Sequence, residues 1–104
     1  MSVNILGLLG LARRAGGVHS GDAMVRSLLL RKGMVKLLLV ASDAAERTRK
    51  HISEQARAAG VTLITCATKE ELGKAMGRSM RSVVAVTDQN LARGILKALE
   101  RGES

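Results

Sequence analysis

Few side chains in this sequence are equipped to make or break bonds. It holds one cysteine, Cys66, and two histidines, His19 and His51. A metal site needs Cys, His, Asp or Glu in clusters. No CxxC or HExxH spacing occurs, and these three residues stand far apart, so no metal is expected. Nucleophilic catalysis needs a Ser or Cys beside a base that a third group orients. Ser20, His51 and Asp43 have the right types, but no spacing joins them, and His51 belongs to the basic stretch Arg47-Thr48-Arg49-Lys50-His51. Neither GxxxxGKS nor GxGxxG is present to cradle a nucleotide. Asp43 follows an apolar run, as a phosphoacceptor would. The run before it ends in His19-Ser20, however, not in the paired acids that would hold Mg²⁺. Cys66 lies in the apolar run 61–67 and reads as a buried structural thiol. The expectation is therefore no enzyme, no cofactor and no small-molecule substrate.

Positive charge is what remains. Lys and Arg number 17 against 9 Asp and Glu, for a net charge of +8, and eleven of the cations are Arg. The guanidinium fork suits phosphates and guanine edges. A basic domain with a pI near 10.9 points to a polyanionic partner. There is no Phe, Tyr or Trp. That excludes platforms that stack successive bases on aromatic rings, and leaves charge, backbone amides and shape. The basic residues group as Arg26, Arg31, Lys32 and Lys36 around one predicted helix, Arg47, Arg49 and Lys50 on the next, and Lys74, Arg78 and Arg81 near the loop 77–81. That loop joins two arginines to Met80, and a cationic and apolar tip can pack against an extruded base and its phosphates.

These residues need a scaffold, and the hydrophobic pattern supplies one. Helical spacing runs over 3–15 and stops at Gly16-Gly17. Residues 18–20 suggest a short edge strand. Gly21-Asp22 opens a second helix that is expected to reach about Lys32 and stop at Gly33. The nearly continuous apolar run 36–41 reads as a central strand covered on both faces. Ser42 or Asp43 is expected to cap a third helix over 44–59, with Glu46 completing a capping box. The β-branched stretch 61–66 is strand-like. Thr68 with Glu71 three residues on opens a short helix punctuated by Gly73 and Gly77. Residues 82–86 form another buried strand, and Thr87 or Asp88 caps a last helix to about Leu99. Four strands alternating with five helices imply an α/β fold, with helices on both faces of a mostly parallel sheet. With 104 residues and no break in composition, a single domain over 1–104 is expected, with a polar, fraying tail at 101–104. No apolar run is long enough to span a membrane, and no secretory leader pattern is read at the N-terminus. The single cysteine fits a reducing compartment, so the cytoplasm is expected.

Several stretches then carry a resemblance. Leu8-Leu9-Gly10-Leu11-Ala12-Arg13-Arg14-Ala15-Gly16, Ser20-Gly21-Asp22, Leu39-Val40-Ala41-Ser42-Asp43-Ala44, Thr68-Lys69-Glu70-Glu71-Leu72-Gly73-Lys74-Ala75-Met76-Gly77 and Val83-Val84-Ala85-Val86-Thr87-Asp88 follow in this order. Together they resemble the superfamily of kink-turn-binding ribosomal proteins (the L-seven-Ae and L-thirty-e type), and within it the small bacterial YlxQ-type branch. The resemblance covers nearly the whole chain. It implies a three-layer α-β-α sandwich around a small mixed four-stranded sheet, and non-catalytic binding of structured, ribosomal or kink-turn-containing RNA. In such proteins the RNA docks on the start of the second helix and on the loop before the last strand. By position the helix surface is Gly21, Asp22, Ala23, Met24 and Arg26 or Ser27. The loop is Arg78, Ser79, Met80 and Arg81, with the turn Ser42-Asp43-Ala44 beside them.

The sequence departs from that pattern at the reading surface. Kink-turn readers carry an Asn-Glu type pair and then a Lys. Here those places hold Ala23, Met24 and Ser27, and a stretch one residue longer before Gly33 brings Arg26 or Leu28 to the lysine place. Apolar side chains cannot accept hydrogen bonds from guanine edges, and losing such contacts costs about 1–3 kcal/mol each in discrimination. Met24 also stands where it can face Leu28 in the core. An exposed Ala23-Met24 pair would suit a protein partner, so the alternative is a protein-interaction or regulatory module on the same fold. A monomer is expected, since a short edge strand gives no strong dimer signal.

Overall fold

The structure, a computed structural model, describes residues 5–100. The expected helix start at Val3 and the tail 101–104 lie outside the described residues. The elements follow in the order α1 (Ile5–Arg14), β1 (Val18–Ser20), α2 (Asp22–Leu29), β2 (Leu37–Val40), α3 (Glu46–Ala59), β3 (Leu63–Thr65), α4 (Lys69–Ala75), β4 (Val83–Val86) and α5 (Gln89–Glu100).

Local signals account for most of these boundaries. Thr68 accepts a hydrogen bond from the Glu71 amide at 3.1 Å, and the Glu71 carboxylate accepts one from the Thr68 amide at 2.9 Å. This reciprocal box satisfies two amides that the first helical turn otherwise leaves unpaired. Asp88 caps α5 in the same sense, its carboxylate accepting from the Leu91 amide at 2.9 Å. Gly60 ends α3 in the left-handed conformation, at φ 69. Two expectations need correction. α2 ends at Leu29, short of Lys32, because 30–33 turn back on themselves towards Gly33 at φ 75. α3 begins at Glu46, and its N-cap Ala45 offers no side-chain bond. Neither Ser42 nor Asp43 caps that helix, because both side chains are engaged across the fold, as described below.

The sheet has the order β1-β4-β2-β3. β2 and β3 are parallel, whereas β4 runs antiparallel to both β1 and β2. The sheet is thus mixed, as the resemblance implies, and not the mostly parallel one that simple alternation implies. β1 is the edge strand read from the sequence. Every residue of β2 and β4 is buried, so both faces of the central pair are covered. α1 packs against α4 and α5, α2 against β1 and β4, and α3 against β2, which gives a three-layer α-β-α sandwich. The core is aliphatic throughout. Leu9, Leu37, Leu38, Leu39, Leu72 and Ile95 are its largest fully buried side chains, each contributing about 1.5–3 kcal/mol over exposure.

Candidate nucleic-acid interface

Strand direction decides which loops meet. β1, β2 and β3 all point one way and β4 the other, with Ser20 opposite Val84 and Val40 opposite Val83. The exits of β1, β2 and β3 and the entry to β4 therefore share one rim of the sheet. That rim gathers Gly21-Asp22, Ser42-Asp43, Cys66 to Lys69 and Met80 to Ser82. Gly21, Asp22, Met80, Arg81, Ser82 and Val83 line a cleft of about 220 Å³ there. Segments some sixty residues apart in sequence are thus brought into one concavity.

The rim is tied together by hydrogen bonds between loops. Asp43 accepts from the Lys69 amide at 2.8 Å, so its carboxylate serves the first turn of α4. Ser42 sends both its amide, at 2.8 Å, and its hydroxyl, at 2.9 Å, to the Ala67 carbonyl. Those bonds steady a residue in an unusual conformation. Ala67 has φ 60, the one positive value of a non-glycine residue among those described. Arg49 donates to the Ala41 carbonyl at 3.1 Å and to Thr65 Oγ1 at 3.4 Å, fixing α3 to the same corner.

The loop 77–82 lies flat on α4. A Cβ on Gly73 would stand 2.7 Å from both Met80 Cα and the Ser79 carbonyl oxygen. Any side chain there pushes the loop away, so Gly73 permits the contact. The Arg78 amide donates back to the Gly73 carbonyl at 2.7 Å. Gly77 turns the chain at φ 69, and the Arg13 guanidinium from the end of α1 packs over it.

Asp22, Ala23, Met24, Arg26 and Ser27 are exposed along α2, and Gly21 is half-buried at φ 102, a glycine conformation. Gly21 provides no side-chain cap to the first turn of α2. Met24 is 49% exposed while Val25 and Leu28 face the core, which settles it as a surface residue. Arg78, Ser79 and Met80 are exposed, Met80 at 56%. Arg81 is tethered to the rim. It is half-buried, donating from Nε to Ser20 Oγ at 3.0 Å and from Nη1 to the Met80 carbonyl at 2.9 Å. Its amide also donates to the Lys69 carbonyl at 3.0 Å. Arg81 therefore clamps the loop to the end of β1. Asp43 is exposed on the rim, with one carboxylate oxygen committed to α4.

The cations do not all converge here. Arg31, Lys32 and Lys36 lie at the far end of α2, beside Gly60 and Thr62. The Lys36 amide donates to the Val86 carbonyl, at the opposite end of β4 from the rim. Cys66 is half-buried rather than buried, and burial, aided by the Glu71 carboxylate, pushes its thiol above the ordinary value. A thiol so shifted is a poor nucleophile. Ser20 and Asp43, the imagined triad members, are bonded to Arg81 and to the Lys69 amide rather than to His51.

Residues 4–97 match the ribosomal protein L7Ae/L30e/S12e/Gadd45 family. The chain belongs to that family. Within reach of it in sequence, the RNA-binding protein YlxQ of Bacillus subtilis (strain 168) is 36% identical over 93 residues, covering 89% of this chain and 92% of YlxQ. The Enterococcus faecium RNA-binding protein YlxQ is 26% identical over 95 residues, covering 91% and 90%. A Bacillus halodurans protein of unknown function has the same fold, with a TM-score of 0.84 at 28% identity over 92% of this chain and 96% of that one. The Giardia lamblia 15.5kD RNA binding protein shares the fold at a TM-score of 0.72 and 19% identity, covering 92% and 82%.

Against this family background, two structural contributors to the rim escaped the sequence. Arg13, a cation in the last turn of α1, reaches Gly77. Gly73 read as one of two punctuating glycines, yet it permits the close approach of Ser79 and Met80 to α4. Neither had a local signal, because the partner of each lies in another element.

Proposed function

We propose that this chain is a non-catalytic RNA-binding protein that holds a bent, structured RNA across the rim between the start of α2 and the loop 77–82. One observation carries the reading: the antiparallel entry of β4 brings Met80 and Arg81 into the same cleft as Gly21 and Asp22. Family membership and the names of the YlxQ relatives support it. In this arrangement Arg78, Arg26 and Arg13 meet phosphates, while the exposed Met80 covers a base turned out of its stack. Asp22 supplies acceptors for guanine N–H groups, and Ala23 and Met24 supply none. Affinity then comes chiefly from phosphate contacts and falls steeply with salt. The RNA class that suits a sharp concave rim is a kink-turn or a comparable bend in ribosomal RNA, met in the cytoplasm.

A second reading has one observation behind it. Ala23 and Met24 are exposed beside the cleft, an apolar pair that suits a protein surface. A gel shift separates the two. A kink-turn RNA is compared with the same RNA lacking its G·A pairs. Preference for the intact bend supports site-specific reading, and equal binding reduces the rim to generic basic affinity. Failure to bind either RNA at low salt refutes the RNA reading and favours the protein module.

A further inference from the structure

A second surface lies at the other end of the α2–α3 pair. The furrow between these helices leaves the rim past Arg26 and Gln55 and opens into two adjoining hollows of about 410 and 530 Å³. Both hollows are lined by Leu29, Leu30, Ala58 and Ala59. Leu30 is 88% exposed, more than any other large apolar residue among those described. It stands just past the last turn of α2, where its own amide donates to the Arg26 carbonyl at 3.2 Å and the Arg31 amide donates to the Leu28 carbonyl at 3.1 Å, so its side chain is held outward by an ordered backbone. Arg31, Lys32 and Lys36 border the larger hollow, and no Asp or Glu lines either one among the described residues. Lys36 Nζ donates to the Gly33 carbonyl, which fixes that cation on the border.

We propose that this furrow docks an acidic amphipathic helix of a partner protein. Its apolar ridge would cover Leu30, Ala58 and Ala59, and its flanking carboxylates would meet Arg31, Lys32 and Lys36. A helix laid between two helices is an established way to fill such a groove. The residues shared by both hollows, Leu29, Leu30, Ala58 and Ala59, present alkyl groups, which give a nucleic acid nothing to read and no plane to stack on. A second copy of this chain would bring two like-charged borders together, which costs affinity. Arg26 borders both the rim and the smaller hollow, while Leu30, Arg31, Lys32 and Lys36 lie at the far end of α2, away from the rim.

The test uses isotope-labelled full-length protein and a synthetic helix of about five turns, with Leu at i, i+3, i+4 and i+7 and Glu on both flanks. Expected are amide shift changes confined to 29–36 and 58–62. Leu30→Glu, at a site too exposed to affect folding, should weaken binding about tenfold or more. A peptide with Lys in place of Glu should not bind, nor should one with Gln in place of Leu. Equal binding of either control peptide overturns the proposal, as does an unchanged affinity of the Leu30→Glu variant. An RNA duplex that produces the same shifts with equal affinity assigns the furrow to nucleic acid. A dimer in sedimentation that Leu30→Glu dissolves assigns it to a second copy. Each of these last two results also overturns the proposal.

Discussion

Replacing Gly73 by alanine tests whether the rim loop is seated as described. Two opposing effects act at this site. Alanine favours an α-helix over glycine by about 1 kcal/mol. The new Cβ, however, meets Met80 Cα and the Ser79 oxygen at 2.7 Å, and Met80 N at 2.8 Å. These are backbone atoms and cannot rotate away, so the loop must retreat by the better part of an ångström. Overpacking of this kind costs about 1–3 kcal/mol. The clash outweighs the propensity gain, and a net loss of about 1 kcal/mol lowers Tm by about 4–8 °C in a domain this size. Gly94→Ala is the control. It makes the same change inside α5, where a Cβ meets nothing within 4 Å. It should therefore raise stability by about 0.5–1 kcal/mol. Thermal unfolding of both variants followed by circular dichroism reads the sign directly. In addition, Gly73→Ala should weaken RNA binding, because Arg78 and Met80 ride on the displaced loop, whereas Gly94→Ala should leave binding alone. A Gly73→Ala protein as stable as the parent would refute the seating of the loop on α4.

Two other outcomes follow from the site. Arg78→Ala should weaken RNA binding at unchanged Tm, whereas Arg81→Ala should lower both, by about 1 kcal/mol in stability, since it removes a part-buried hydrogen bond to Ser20 and an exposed one to the Met80 carbonyl; paired melting and gel-shift curves check this, and an Arg81 variant with unaltered Tm would contradict the clamp. Burial raises the Cys66 thiol, so alkylation should be slower in the folded protein than in urea, with its rate midpoint at higher pH. The raised value also means that the folded state holds this proton more tightly than the unfolded one. The stability so gained is complete below the unfolded thiol pKa and is lost as pH rises through the folded one. A folded-state midpoint at or below that of the unfolded chain would contradict the assignment.

The sequence by itself determined what is decided within a few residues. Thr68 and Glu71 find each other across one helical turn, Asp88 caps its own helix, and the glycines at 16, 33, 60 and 77 halt or turn the chain where L-residues rarely go. Absence of catalytic spacing and excess of arginine were equally legible, since both are matters of composition. Strand direction was not. β2 and β4 are four-residue apolar segments buried on both faces, so neither carries a polar side to orient it, and alternation suggested the parallel arrangement. The roles of Asp43, Arg81, Arg13 and Gly73 were hidden for a related reason. Asp43 bonds 26 residues away and Arg81 61 residues away, and no local pattern records a partner supplied by another element. Only the packed tertiary structure decided that Arg81 clamps, that Met24 faces outward and that Arg31, Lys32 and Lys36 leave the rim for the far end of the furrow. Side-chain roles of this kind depend on which backbone ends the antiparallel strand brings together, and a linear sequence states that only through the fold.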